Sequence, residues 1–227
     1  MKVLAFDVFG TVVDWHGSIV REVNRLKLPI DANQFALDWR SGYQPAMARV
    51  RSGEFGWTKI DDLHRMILDD LLLKYQIDMD EQERRHLNFV WHRLTPWPDA
   101  VAGLTRLKSH FTITTLSNGN ISLLTEMAKR AKLPWDCILS AEVFRHYKPD
   151  PETYLGVCEV FDISPNEMML VASHKNDLDA ALGLGCLTAF IERPYEFGPS
   201  NTVDLKKESR FNFHARDFED LATLLSC

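Results

Sequence analysis

No stretch of this chain reaches the roughly 18 consecutive apolar residues that a membrane-spanning helix needs. Cysteine is scarce: Cys137, Cys158, Cys186 and Cys227 are spread over 227 positions with no C-x-x-C pair. That scatter speaks against a disulfide framework and against zinc, and it fits small core residues or free thiols in a reducing compartment. Positive charge is not in excess; 26 Lys and Arg against 32 Asp and Glu leave a formal net charge of -6, a poor match to nucleic acid or an anionic membrane surface. The amino terminus lacks an export pattern, since Lys2 and Asp7 interrupt what would be its apolar part. A cytoplasmic location is the expectation. Internal repeats and low-complexity tracts are also missing. His64, His86 and His92 lie on helical patterns without metal-ligand spacing and read as solvated or satisfied side chains, so no metal or other cofactor is expected.

What is present is a globular composition, 45% hydrophobic and 26% charged, long enough for one domain with a large insertion or for two small ones. The first eleven residues, MKVLAFDVFGT, organise the rest. A short apolar run, Val3 to Phe6, delivers the carboxylate of Asp7, and Gly10-Thr11 then turns the chain before a helical pattern begins. An Asp in that position stands at the carboxyl end of a buried strand, where open α/β sheets bind their ligands.

From Val13 to about Thr95 the pattern is helical, with no convincing strand. Leu28-Pro29 closes one helix; Asp31 or Asn33 caps a second, expected to run through Ala46 with a kink at Pro45; a third carries Ile60, Leu63, Ile67 and Leu71 on one face; a fourth runs from Asp80 to about Arg93. Pro96-Trp97-Pro98 reads as a hinge. Beyond it, apolar strands at 111–116, 137–139, 168–171 and 186–191 alternate with helical patterns. The expectation is an α/β fold: a doubly wound, parallel, Rossmann-like sheet. Its core comprises residues 1–12 and 96–227, and a helical cap domain of residues 13–95 is inserted after the first strand. Residues 194–210, polar and rich in turn formers, read as a loop near the mouth of the site.

Four segments fall at strand ends: Asp7 to Thr11, Ser117-Asn118-Gly119, Lys148-Pro149-Asp150, and Ser173-His174-Lys175-Asn176-Asp177. In a doubly wound sheet they converge on one crevice. In these ordered motifs, with Gly185 following Asp177, the chain resembles the haloacid dehalogenase superfamily over nearly its full length. Most members of that superfamily are magnesium-dependent phosphatases, which place an Asp two residues after the nucleophile and an acidic magnesium ligand four residues before the last motif Asp. Here those positions hold Phe9 and Ser173. Phosphoryl transfer is therefore disfavoured, and displacement at carbon, whose leaving group needs neither proton nor metal, suits the residues better.

The chain resembles most the type II 2-haloacid dehalogenases. That resemblance implies hydrolysis of short 2-haloalkanoic acids to 2-hydroxy acids through an aspartyl ester on Asp7. It casts Thr11, Ser117 and Lys148 as groups that hold this carboxylate and the substrate's own. Arg40, Asn118 and Trp57 would form the halide pocket, with Phe9, Ser173 and Tyr154 also at the site, and Asp177 would orient or activate water. His174, where many members have Asn, would donate to the departing halide or help deprotonate water, with a titration near neutral pH. The partners implied are a small haloacid and its halide; a homodimer, frequent in the family, is a further expectation. A magnesium-dependent phosphatase and a catalytically idle binding protein are the rival readings.

Overall fold

The computed structural model describes the whole chain, residues 1–227. Strand β1 (Val3–Phe6) is buried on both faces, and its alternating side chains divide between two apolar cores. Leu4 and Phe6 face one; Val3 and Ala5 face the other. After the Asp7 to Thr11 turn, β2 (Val13–Asp14) pairs antiparallel with β3 (Thr95–Pro96). The helical insertion thus leaves and returns through one two-stranded ribbon, a pair of two-residue strands too short to show in the sequence pattern.

Between these strands lie α1 (Trp15–Arg25), α2 (Ala32–Ser41), α3 (Tyr43–Arg51), α4 (Ile60–Lys74), α5 (Glu81–Asn88) and a 3₁₀ turn over Phe89–Arg93. The starts of α1, α2 and α5 are fixed by side chains that accept from otherwise unpaired amides. Asp14 accepts from Gly17, Asp31 from Asn33 and Gln34, and Asp80 with Glu83 forms a reciprocal capping box. The expected kink at Pro45 does not occur. The chain breaks at Gly42, where a Cβ would meet Ile67 Cγ2 at 2.6 Å, and Pro45 falls in the first turn of α3, where a missing N–H costs nothing.

The second part of the chain alternates as expected: α6 (Ala100–Lys108), β4 (Thr112–Ser117), α7 (Ile121–Ala131), β5 (Cys137–Ser140), α8 (Ala141–Phe144), α9 (Pro151–Phe161), β6 (Met168–Ala172), α10 (Lys175–Gly183), β7 (Leu187–Ile191), β8 (Phe213–Ala215) and α11 (Phe218–Leu224). The sheet is parallel throughout, in the order β5-β4-β1-β6-β7-β8. The chain winds outward from β1 in both directions, so the crevice at the carboxyl ends of β1, β4 and β6 is the topological switch point. Strand β8 is an addition to the sequence reading; three residues, one of them His214, carry no apolar run. Helices α6, α7 and α11 cover one face of the sheet, and α9 and α10 the other.

Of the histidines read as solvated or satisfied, His86 meets Glu22 and His92 lies between Asp61 and Glu126. His64 is neither. It is fully buried, stacked 4.0 Å from the Trp91 ring, and both of its ring nitrogens lack partners. Burial lowers its titration to about 3, so it is an uncharged packing group.

Candidate active site

Asp7 follows β1 directly and its carboxylate is enclosed by donors. Thr11 Oγ1 donates to Oδ2 at 2.7 Å, His174 Nδ1 lies 3.1 Å from the same oxygen, and Lys148 Nζ donates to Oδ1 at 2.9 Å. Burial alone would raise the Asp7 carboxyl. The Lys148 ammonium, His174 and the Thr11 hydroxyl outweigh it and hold the group well below the usual carboxylate range. Asp7 is therefore held as a carboxylate.

Lys148 also donates to Asp177 Oδ2, and the phenol of Tyr154 donates to Asp177 Oδ1 at 2.6 Å. Burial would depress the Lys148 ammonium, but Asp177 and Asp7 raise it above the ordinary lysine range. Burial, and then the Asp177 charge, raises the Tyr154 phenol, which stays protonated and donates.

Elements β1, β4, β6, α9 and α10 supply these groups, and the insertion closes the space above them. A cavity of about 390 Å³ is lined from below by Asp7, Phe9, Asn118, Lys148, Tyr154, His174 and Asp177, and from the inserted helices by Arg40, Tyr43, Gln44 and Arg51. The Arg40 guanidinium lies 4.2 Å from the Tyr43 ring centroid and 5.6 Å from that of Trp15. Its Nη1 is buried without a hydrogen-bond acceptor. A buried donor without a partner beside the anionic Asp7 is a place for an incoming anion.

The structure brings Asp7, Phe9, Arg40, Asn118, Lys148, Tyr154, His174 and Asp177 around one space. Three expected site residues stand elsewhere. Trp57 stacks on Tyr147, centroids 4.9 Å apart, and lines a separate surface pocket with Arg145 and His146. Ser117 Oγ accepts from the Gly119 amide at 3.0 Å and shapes the turn that presents Asn118; Asn118 Oδ1 in turn accepts from the Lys148 amide at 2.8 Å. Ser173 sits behind Thr11, its amide donating to Thr11 Oγ1 at 2.9 Å and its hydroxyl 3.0 Å from the same atom. It therefore orients Thr11 and is not part of the cavity wall.

The near-neutral titration expected of His174 is corrected as well. Burial would lower it, but Glu196 and Asp7, one at each ring nitrogen, push it up to about 10. At neutral pH the ring is a cation and a donor. The sequence reading places only the loop of Glu196 near the site mouth and Asn176 only within a motif, and it does not name Tyr43, Gln44 or Arg51; of these, Tyr43, Gln44, Arg51 and Asn176 line the cavity. One signal pointed to Glu196: it lies just past the carboxyl end of a sheet strand, β7, on the side where the other motifs converge.

A family model for haloacid dehalogenase-like hydrolases matches residues 1–185. The chain belongs to the haloacid dehalogenase-like hydrolases. Within that family it is similar to an (S)-2-haloacid dehalogenase, 4A, of Burkholderia cepacia, 29% identical over 215 residues and 88% of each chain. Two solved structures are 44% identical to it with TM-scores of 0.95. One is an L-2-haloacid dehalogenase aligned over 99% of both chains, the other a defluorinating L-2-haloacid dehalogenase aligned over 100% of this chain and 96% of its own. The fold of this haloacid dehalogenase-like hydrolase is thus shared over its whole length, inserted helices included.

Proposed function

We propose that this hydrolase removes halide from short 2-haloalkanoic acids and yields the 2-hydroxy acids, with Asp7 as nucleophile and no metal in the reaction. The observation that carries this reading is the pairing of an ionised, buried Asp7 with the unpartnered Arg40 donor across one small cavity. An Asp7 oxygen attacks C2 of the substrate, the carbon-halogen bond breaks, and the halide leaves toward Arg40 and Asn118. Lys148 and Arg51 add positive field for the substrate carboxylate. Water then attacks the carbonyl carbon of the ester, with Asp177 taking its proton. That proton returns through the Lys148 ammonium to the ester oxygen as it leaves with the product.

The names of the similar proteins support this reading, and so does Phe9, which puts no acid where a phosphate ester's leaving group would need one. Residues 13–95 act as a cap domain, opening and closing over a core of residues 1–12 and 96–227. No helix of the chain is long and apolar enough to cross a membrane. The four free cysteines support a reducing, cytoplasmic setting, and a homodimer is part of the same proposal.

The test is direct. Purified enzyme in excess chelator should release halide from chloro- and bromoacetate and from one hand of 2-chloropropionate, and Asp7→Asn should release none. In labelled water the first-turnover product should carry an unlabelled oxygen, because that atom comes from Asp7. Label in the first product would rule out the ester; phosphate release that requires magnesium, without dehalogenation, would replace the reading with a phosphatase.

A further inference from the structure

His174 is held between two carboxylates. Nδ1 lies 3.1 Å from Asp7 Oδ2 and Nε2 lies 2.8 Å from Glu196 Oε1. Ionised carboxylates only accept, so the one ring state that gives each of them a proton is the imidazolium. Glu196 is only 1% exposed, and its Oε1 also accepts from Trp15 Nε1 at 3.1 Å. Room for it is made by Gly10, which has a φ of +87° and where any Cβ would run into the Glu196 carboxylate. A buried carboxylate that the nucleophile's own turn is shaped to admit, and that touches none of the groups facing the cavity except His174, calls for a role in the reaction.

The two oxygens of Asp7 differ. Oδ2 receives two donors, Thr11 Oγ1 and His174 Nδ1, whereas Oδ1 receives only Lys148. Because the Asp7 carboxylate only accepts, the Thr11 hydroxyl donates to Oδ2 while its own lone pairs face the Ser173 amide and hydroxyl. Charged groups about the imidazole are Asp7 on one side and Glu196 on the other, with Lys148 and Asp177 beyond Asp7.

We propose that Glu196 is a positioning residue that keeps His174 protonated and aimed at Asp7 Oδ2, so that Thr11 and His174 together form the oxyanion hole for hydrolysis of the Asp7 ester. This rests on the ester reading above. Oδ1 is then the attacking atom and becomes the ester oxygen; Oδ2 becomes the carbonyl oxygen. When water adds to Cγ, the carbonyl electron pair moves onto Oδ2, where the Thr11 O–H and the His174 Nδ1–H receive it. On collapse the pair returns to re-form the carbonyl and the Cγ–Oδ1 bond breaks; Oδ1 leaves as the product hydroxyl with the proton passed on by Lys148, and the water's second proton, left on the new Asp7 carboxyl, is released to solvent because Asp7 is held as a carboxylate.

The need for Glu196 arises at one moment. Esterification removes the negative charge of Asp7, and with it one of the two groups that keep the imidazole charged. Glu196 alone then retains the proton until the second step is complete.

The experiment uses Glu196→Gln, which keeps the shape and the Oε1 acceptor but not the charge. Rapid-quench halide release should show a first-turnover burst close to wild type, followed by turnover roughly 10² to 10³-fold slower, the range for loss of an oxyanion donor. Intact mass should show the Asp7 ester accumulating. Steady-state activity of the variant should fall as pH rises through about 6.5, the ordinary range of a histidine, where wild type does not. Equal slowing of both steps, or an unchanged pH profile, would overturn the inference. Ring-nitrogen NMR of wild type without substrate decides independently of variant folding and of the reaction: a neutral His174 at pH 7 refutes the role given to Glu196. Absence of halide release by wild type would sink the assigned reaction instead.

Discussion

The phenol of Tyr154 lies 2.6 Å from Asp177 Oδ1, the one oxygen of that carboxylate that Lys148 leaves free. Each Asp177 oxygen thus receives one donor and keeps a second lone pair, so the carboxylate is oriented and can still accept from the water of the proposed reaction. Tyr154→Phe should therefore lower stability by about 1.5–3 kcal/mol, the range for a hydrogen bond to a charged group. It should slow ester hydrolysis by about tenfold, a modest loss because Lys148 still orients Asp177. Denaturant melts and pre-steady-state halide release check the two separately; a variant as stable as wild type would show that the phenol merely packs.

The histidine between Asp7 and Glu196 gives stability a basic limit. Its folded-state titration is raised from 6.5 to about 10, so its contribution is complete below about pH 6.5 and is lost as pH rises through about 10. Asp7 acts in the opposite sense. Its titration is depressed, so its contribution is present above about 3.8, the ordinary Asp value, and is lost only in stronger acid. Urea denaturation across pH 6 to 10.5 should show unfolding becoming easier toward the basic end, and His174→Gln should flatten that slope. A wild-type profile flat over this range would contradict the raised titration.

Arg40 sets its guanidinium over the Tyr43 ring and carries a buried donor with no acceptor. Arg40→Ala should lower turnover by about 10² to 10³-fold while the melting temperature stays close to wild type, because no hydrogen bond within the protein is lost at Nη1. Arg40→Lys should not restore activity, since a point-like ammonium neither stacks on the ring nor holds a fixed fork. Near-normal halide release by either variant would take Arg40 out of the site.

Trp57 illustrates how far spacing alone carries. Its place just ahead of the α4 stripe fixes proximity to the insertion's core but not the side on which the ring emerges, and it emerges away from the cavity onto Tyr147. Trp57→Ala should cost the stacking contribution of about 0.5–1.5 kcal/mol and some buried area, with kcat unchanged. Slowed chemistry at normal stability would return Trp57 to the site.

What could be read directly was whatever is local. The β1 run ending in Asp7 and the strand-end motifs each depend on a few adjacent residues; of the two caps offered for α2, Asp31 is the one that accepts, and the helix expected from Asp80 starts there. Glu196 was not legible, because it reaches His174 from the irregular loop at 194–210, where no periodicity constrains direction. At the junction of α2 and α3, Ile67 from another helix approaches Gly42 too closely for a Cβ, a contact that adjacent residues do not announce. His174 had the right place but the wrong charge, since its second carboxylate comes from that same loop.

Phe9 offers the sharpest test of reaction class. It occupies the position where magnesium-dependent phosphatases of this superfamily hold an acid, and here it is 3% exposed, edge-on to Trp91 at 5.6 Å and to Tyr43 at 6.5 Å. Phe9→Asp would set a carboxyl among aromatic rings, with loss of the ring's packing and a group forced toward its neutral form; about 3–5 kcal/mol of destabilisation is expected from the lost packing alone. It should also fail to create a phosphatase. A cation would still lack its acidic ligand, because Ser173 is neutral and engaged with Thr11. Wild-type halide release should accordingly be the same in excess chelator and in added magnesium. If Phe9→Asp instead releases phosphate from small phosphate esters when magnesium is supplied, the site accepts a cation without an acid at 173, and the case for displacement at carbon loses one of its two supports.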